Sequence, residues 1–195
     1  MPSEPSTPGS IRVGEVRTPR ARVVQSRNMN IATQNKYAPQ ILGASLFAPV
    51  PADALYEALL DVRGFPDWAP GVRRVEILKG AGASGMISEW EVSLLGTRRR
   101  VLSVLEEAEP CELLRWTYEG PISGYGECVL WDRGDGVLAE FRTGLRPEER
   151  FLRQIMRSSP ARSAARAHLK RCLARLGQKV CGDGGKVLVG PLTGS

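Results

Sequence analysis

Ala48-Pro49-Val50-Pro51-Ala52-Asp53-Ala54-Leu55-Tyr56-Glu57-Ala58-Leu59-Leu60-Asp61-Val62-Arg63-Gly64-Phe65-Pro66-Asp67-Trp68-Ala69-Pro70-Gly71-Val72 is the stretch on which the fold turns. Pro49 and Pro51 end whatever strand precedes them, because proline donates nothing to a ladder. Pro51 also suits the first turn of a helix, and Asp53 complements the positive end of that helix. Leu55, Ala58, Leu59 and Val62 recur at i, i+3, i+4 and i+7, which makes one apolar face over about ten residues. From Gly64 to Gly71 glycine and proline break the helix into a tight connection or a single turn.

Upstream, Ile41–Phe47 reads as a short strand. Downstream the next seventy residues carry strand rhythm. Val72–Leu78 precedes the turn Gly80-Ala81-Gly82, and in Gly85–Leu95 the set Met86, Ser88, Trp90, Val92, Leu94 alternates with Ile87, Glu89, Glu91 and Ser93. That is a half-buried strand with one mostly apolar face. Gly96-Thr97 turns it into Arg98–Glu106; Leu114, Trp116 and Tyr118 alternate after Pro110; Gly124–Trp131 follows. Asp132 to Gly136 supplies a hairpin turn, after which Val137, Ala139, Phe141 and Thr143 share a face. Short Gly and Pro punctuation between these strands implies an antiparallel meander, not βαβ crossovers.

Beyond Pro147 the period becomes helical. Phe151 and Ile155 stand at i and i+4, and past Pro160 the stripe continues through Ala161, Ala165, His168/Leu169, Cys172 and Leu176. Pro160 is expected to kink this helix or divide it. Gly177 and the glycines from Gly182 end it. The predicted order is strand, helix, about six antiparallel strands, long C-terminal helix.

The quoted opening, Ala48 to Tyr56 running into Asp61 to Val72, resembles the START-like helix-grip superfamily (SRPBCC), which includes polyketide cyclase/dehydrase, lipid-transport and coenzyme Q-binding proteins. The resemblance spans roughly Gln40 to Lys179, and beyond the opening it rests on rhythm alone. It implies an α+β fold in which a curved antiparallel sheet of about seven strands wraps a long C-terminal helix and leaves an apolar cavity between them. What the cavity holds then sets the function. The implied domain runs over residues 39–180, between a disordered arm at 1–38 and a disordered tail at 181–195. The arm holds Pro2, Pro5, Pro8 and Pro19 among Ser, Thr and Arg, without a sustained hydrophobic period. Met29 is an alternative start to the chain.

Composition narrows the chemistry. The 195 residues are 42% hydrophobic and 25% charged, in the range of an ordinary globular chain with room for one domain plus tails. No run approaches the ~18 apolar residues of a membrane span, and no secretory signal is expected. Cys111, Cys128, Cys172 and Cys181 form no CxxC pair and are read as free thiols in a reducing cytoplasm. His168 is the chain's one histidine, so His-dependent nucleophilic catalysis has a single candidate base. No metal and no cofactor is expected.

Charge is uneven. Residues 1–36 carry six Lys/Arg against two Glu, 37–141 carry nine against sixteen acids, and 142–180 carry eleven against two. An acidic middle argues against nucleic acid as a partner. Arg153, Arg157, Arg162, Arg166 and Lys170 recur along the last helix, with Arg171, Arg175 and Lys179 broadening the basic side. This is either a solvated helix face or a docking surface for an anionic membrane.

The candidate ligand-binding residues are Trp68, Met86, Trp90, Leu94, Trp116, Tyr118, Phe141, Phe151 and Ile155, with Trp68 as the gate at the cavity mouth. Ordinary core packing is the competing reading for each aromatic. Ser88, Cys128 and Thr143 are the inward polar candidates; Arg99 or Arg115 would join them only in a register shifted by one. Glu89 and Glu91 are expected to face water, and His168 solvent. The expected function is binding or transport of a hydrophobic small molecule, a lipid, quinone or polyketide-like ring system. A polyketide cyclase or dehydratase using the same cavity is the alternative, and a nucleic-acid or ribosome partner a third reading. The expected location is cytoplasmic with peripheral membrane contact.

Overall fold

The computed structural model describes residues 40–94, 96–182 and 188–191; the N-terminal arm, including Met29, lies outside the described residues. Strand β1 (Gln40–Ala48) leads into α1 (Ala52–Leu60), a 3₁₀ turn at Val62–Gly64 and the short α2 (Phe65–Trp68). The meander follows as β2 (Val72–Lys79), β3 (Ile87–Leu94), β4 (Thr97–Glu109), β5 (Leu113–Glu119), β6 (Ile122–Asp132) and β7 (Val137–Pro147). Helices α3 (Arg150–Arg157) and α4 (Ser159–Cys181) and strand β8 (Leu188–Gly190) complete the chain. Among the described residues the strands form one antiparallel sheet in the order β2-β3-β4-β5-β6-β7-β1-β8.

The predicted α+β helix-grip architecture is observed. Pro51 caps α1, and Asp53 stands in its first turn. Leu55, Tyr56 and Leu59 bury its inner face. Pro160 does divide the terminal helix: Ser158 takes an extended backbone and its hydroxyl accepts the Ala161 N–H at 3.3 Å, so α4 starts afresh with proline in its first turn. The α4 residues Cys172, Leu173 and Leu176 join the core in which Leu46 and Ala48 of β1, Leu55 of α1, Cys128 of β6 and Val137 of β7 are fully buried. Each such leucine contributes about 1.5–3 kcal/mol through removal from water.

Two expectations are corrected. Residues 188–190, read as part of a disordered tail, add a strand to β1, and the Ser45 hydroxyl donates to the Pro191 carbonyl at 2.6 Å. Leu188 and Val189 bring β-propensity to what would otherwise be an open sheet edge. Helix α3 anchors through Leu152, which is buried, and not through Phe151, which stands 68% exposed. Eight residues docked on their Leu152 side leave the neighbouring position, about 100° round the helix, facing outward. No helix among the described residues is long and apolar enough to cross a membrane.

Candidate functional site

A cavity of about 430 Å³ opens between the concave side of β3–β7, the middle of α4 and the turn containing α2. Its size falls in the range of small-molecule sites. Of the predicted residues, Trp68, Met86, Trp90, Trp116, Tyr118 and Phe141 all line it. Phe151 and Ile155 do not, because α3 sits beside the cavity and not over it. The Leu94 side chain lies outside the described residues.

At the α2 end the walls are aromatic. The Phe65 ring meets Trp68 at a centroid distance of 4.2 Å and Trp90 edge-on at 4.8 Å. Phe65 is not among the residues expected from the sequence, although its place in the quoted stretch, three residues before Trp68, is the available signal. Trp68, expected as a gate, is a buried wall residue, and its indole N–H has no partner among the described residues. The turn that carries it is clipped to α4: Lys179 Nζ donates to Asp67 Oδ2 at 3.0 Å and to the Gly64 carbonyl at 3.3 Å.

The sheet's contribution depends on glycine. Trp116 and Tyr118 on β5 stand opposite Gly126 and Gly124 on β6, and a Cβ at either glycine would run into the aromatic side chain or the neighbouring backbone. The rings therefore lie across β6, where a side chain would otherwise stand, and build the cavity wall. Tyr118 reaches as far as β7, where its hydroxyl is 2.8 Å from Thr143 Oγ1. Burial pushes the Tyr118 phenol up to about 12, so it remains protonated.

Polar groups on the wall are few. Ser88 and Thr143 face the cavity as expected, joined by Ser103, Arg99 and His168. For Arg99 the sequence predicts an inward side chain only in a shifted register. The strand reads apolar on both faces, with Leu102 and Val104 opposing Val101, Ser103 and Leu105, so alternation alone does not choose between them. Arg99 Nη2 lies 4.0 Å from Glu149, and its Nε is buried without a partner among the described residues. Arg115 points to the convex side, between Glu127 at 2.8 Å and Glu107 at 2.6 Å. Glu89 and Glu91 occupy that side too, facing Arg100 at 3.5 Å and Arg98 at 3.7 Å. Cys128 is buried in the core away from the cavity, and burial pushes its thiol up, out of the nucleophilic range.

His168 is exposed, as expected, yet its ring also edges the cavity, with Nε2 3.6 Å from Cys172 Sγ. Partial burial, then the Arg171 charge, lowers its pKa, so the imidazole is neutral at physiological pH. Burial raises the Cys172 thiol, so the pair does not form a thiolate. No carboxylate lines the cavity among the described residues, and no group of three or more His, Cys, Asp or Glu there could hold a metal ion.

Comparison with known proteins agrees with this geometry. The family model described as polyketide cyclase/dehydrase and lipid transport matches residues 48–166. Protein TTHA0849 from Thermus thermophilus superposes with a TM-score of 0.64 at 19% identity, covering 74% of this chain and 99% of that one. A START superfamily protein from Mycobacterium smegmatis gives 0.61 at 12% identity, covering 72% and 96%. The Zhui aromatase/cyclase from Streptomyces sp. R1128 gives 0.56 at 16% identity, covering 75% and 99%. A search of the curated proteins finds no match.

Proposed function

The chain belongs to the polyketide cyclase/dehydrase and lipid-transport family, and on that premise we propose that it binds and carries a hydrophobic small molecule, a lipid, quinone or polyketide-like ring system, in its cavity. The observation that carries this reading is an aromatic-walled hollow of about 430 Å³ with no carboxylate on its described walls. Catalysis by proton transfer needs an acid or base within hydrogen-bond reach of the reacting atom and with a pKa near the working pH. Tyr118 is held well above that range, and Arg99 Nη2 leans toward Glu149. The alternative, a cyclase or dehydratase, would run through His168, an imidazole at the cavity edge whose pKa burial lowers. Native mass spectrometry of freshly purified protein, with extraction of whatever co-purifies, tests carriage. A bound apolar molecule recovered unchanged after incubation supports it; a ring-closed or dehydrated product supports the alternative.

Delivery to an anionic membrane fits the same reading. Between Arg150 and Gly182 there are nine Lys/Arg and no Asp or Glu. Helix α3 adjoins the cavity rim, since the Glu148 N–H donates to the carbonyl of rim residue Pro121 at 3.0 Å. Phe151, 68% exposed, stands among these cations. Each base near an anionic surface contributes about 1 kcal/mol. Co-sedimentation with phosphatidylserine vesicles that weakens with salt supports docking; equal binding to phosphatidylcholine vesicles at all salt concentrations contradicts it.

A further inference from the structure

The hydroxyls on the cavity wall are not scattered. Ser88 on β3 pairs in register with Ser103 on β4, and Ser103 with Tyr118 on β5. Tyr118 then spans Gly124 to reach Thr143 on β7. All four line the cavity, so a row of hydroxyls crosses the concave sheet from β3 to β7. The tiers on either side of it are apolar: Trp90, Val101 and Ile122 on one, Met86, Leu105 and Trp116 on the other.

The hydrogen bonds already made fix what each hydroxyl has left to offer. Ser88 Oγ accepts the Trp90 indole N–H at 2.8 Å, and among the described residues its own proton meets no acceptor. Ser88 is only 2% exposed, and a buried donor left unmade is costly, about 1–3 kcal/mol. Ser103 donates to the Thr117 carbonyl at 3.0 Å, which leaves it lone pairs. Thr143 donates to the Tyr125 carbonyl at 2.8 Å, so the proton between Thr143 and Tyr118 belongs to Tyr118. The Tyr118 oxygen is therefore also left with lone pairs only. The row presents one donor, at Ser88, and two acceptors, at Ser103 and Tyr118, and no charge.

From this pattern we propose that the occupant carries a carbonyl and a hydroxyl on its middle edge, with apolar surface on either side of them: the carbonyl accepts from Ser88 and the hydroxyl donates to Ser103 or Tyr118. This rests on the cavity being a binding site.

The test uses three rigid probes of similar size, fluorene, 9-fluorenone and 9-hydroxyfluorene, titrated calorimetrically into the full chain and into Ser88→Ala and Tyr118→Phe. The expected result is that fluorenone and hydroxyfluorene bind about three- to tenfold tighter than fluorene, the worth of one neutral hydrogen bond. Read as the ratio to fluorene within the same variant, Ser88→Ala should abolish the fluorenone advantage and Tyr118→Phe reduce the hydroxyfluorene advantage. Fluorene binding as tightly as its oxygenated analogues, or an advantage that survives both substitutions, overturns the hydroxyl row and leaves the cavity reading standing. Failure of all three probes to bind saturably removes the cavity reading itself, and this inference with it.

Discussion

Trp116 lies flat across Gly126 on the neighbouring strand, and a Cβ at Gly126 would occupy the space of the indole. The absence of a side chain on β6 is what allows an aromatic on β5 to become cavity wall, so sequence, register and site meet at this pair.

Gly126→Ala should therefore displace the Trp116 ring. The expected cost is about 1–3 kcal/mol, as for overpacking a filled site, accompanied by a change in tryptophan fluorescence. A neutral effect on urea unfolding together with an unchanged spectrum would show that the ring has room elsewhere.

Trp90 is only partly buried and packs edge-on against Phe65 at the cavity mouth. Trp90→Ala should weaken fluorene binding about tenfold or more through lost contact area, with the domain still unfolding cooperatively. Loss of stability on the scale of about 3–5 kcal/mol with unchanged affinity would instead mark Trp90 as core.

His168 gives the protein a pH dependence with a definite sign. An ordinary imidazole titrates near 6.5, and burial together with Arg171 lowers the folded value. Just below that pH the unfolded chain holds a proton that the native state does not, so stability falls as pH drops through this window and is restored as it rises. Urea midpoints measured on either side of about pH 6.5 should diverge less in His168→Gln than in the parent. Equal divergence in both would assign the slope to other groups.

The clip from Lys179 to Asp67 and Gly64 holds the α2 turn against α4. Lys179→Met should lower global stability by less than about 1 kcal/mol, as expected for an exposed pair. Amide exchange in Gly64–Trp68 should nevertheless accelerate locally. Unchanged exchange there would mean that Phe65 and Trp68 hold the turn without help.

Much of this is legible without the structure. The proline-bounded opening and the glycine-punctuated strands specify local geometry directly, and Pro160 announces the break between α3 and α4. What alternation does not supply is depth and reach. Phe151 and Ile155 obey helical spacing but belong to a helix that docks through Leu152. Arg99 sits on a strand that reads apolar on both faces, so its direction depends on neighbours distant in sequence. The placement of Trp116 and Tyr118 over glycines is a pairing fact, visible only once β5 and β6 are in register. Strand β8 gains its order from the edge of β1, a contact across 146 residues at Ser45 and Pro191.

The central claim is that the space beneath the sheet is hollow and serves a ligand. Val101 lines it opposite Trp90, and Val101→Phe should fill part of that space from within. Calorimetric titration with fluorene, run beside thermal unfolding, should show binding weakened at least about tenfold while the unfolding temperature is held or raised. Undiminished fluorene affinity in this variant would contradict the account, as would unfolding with the destabilisation expected of an already packed interior.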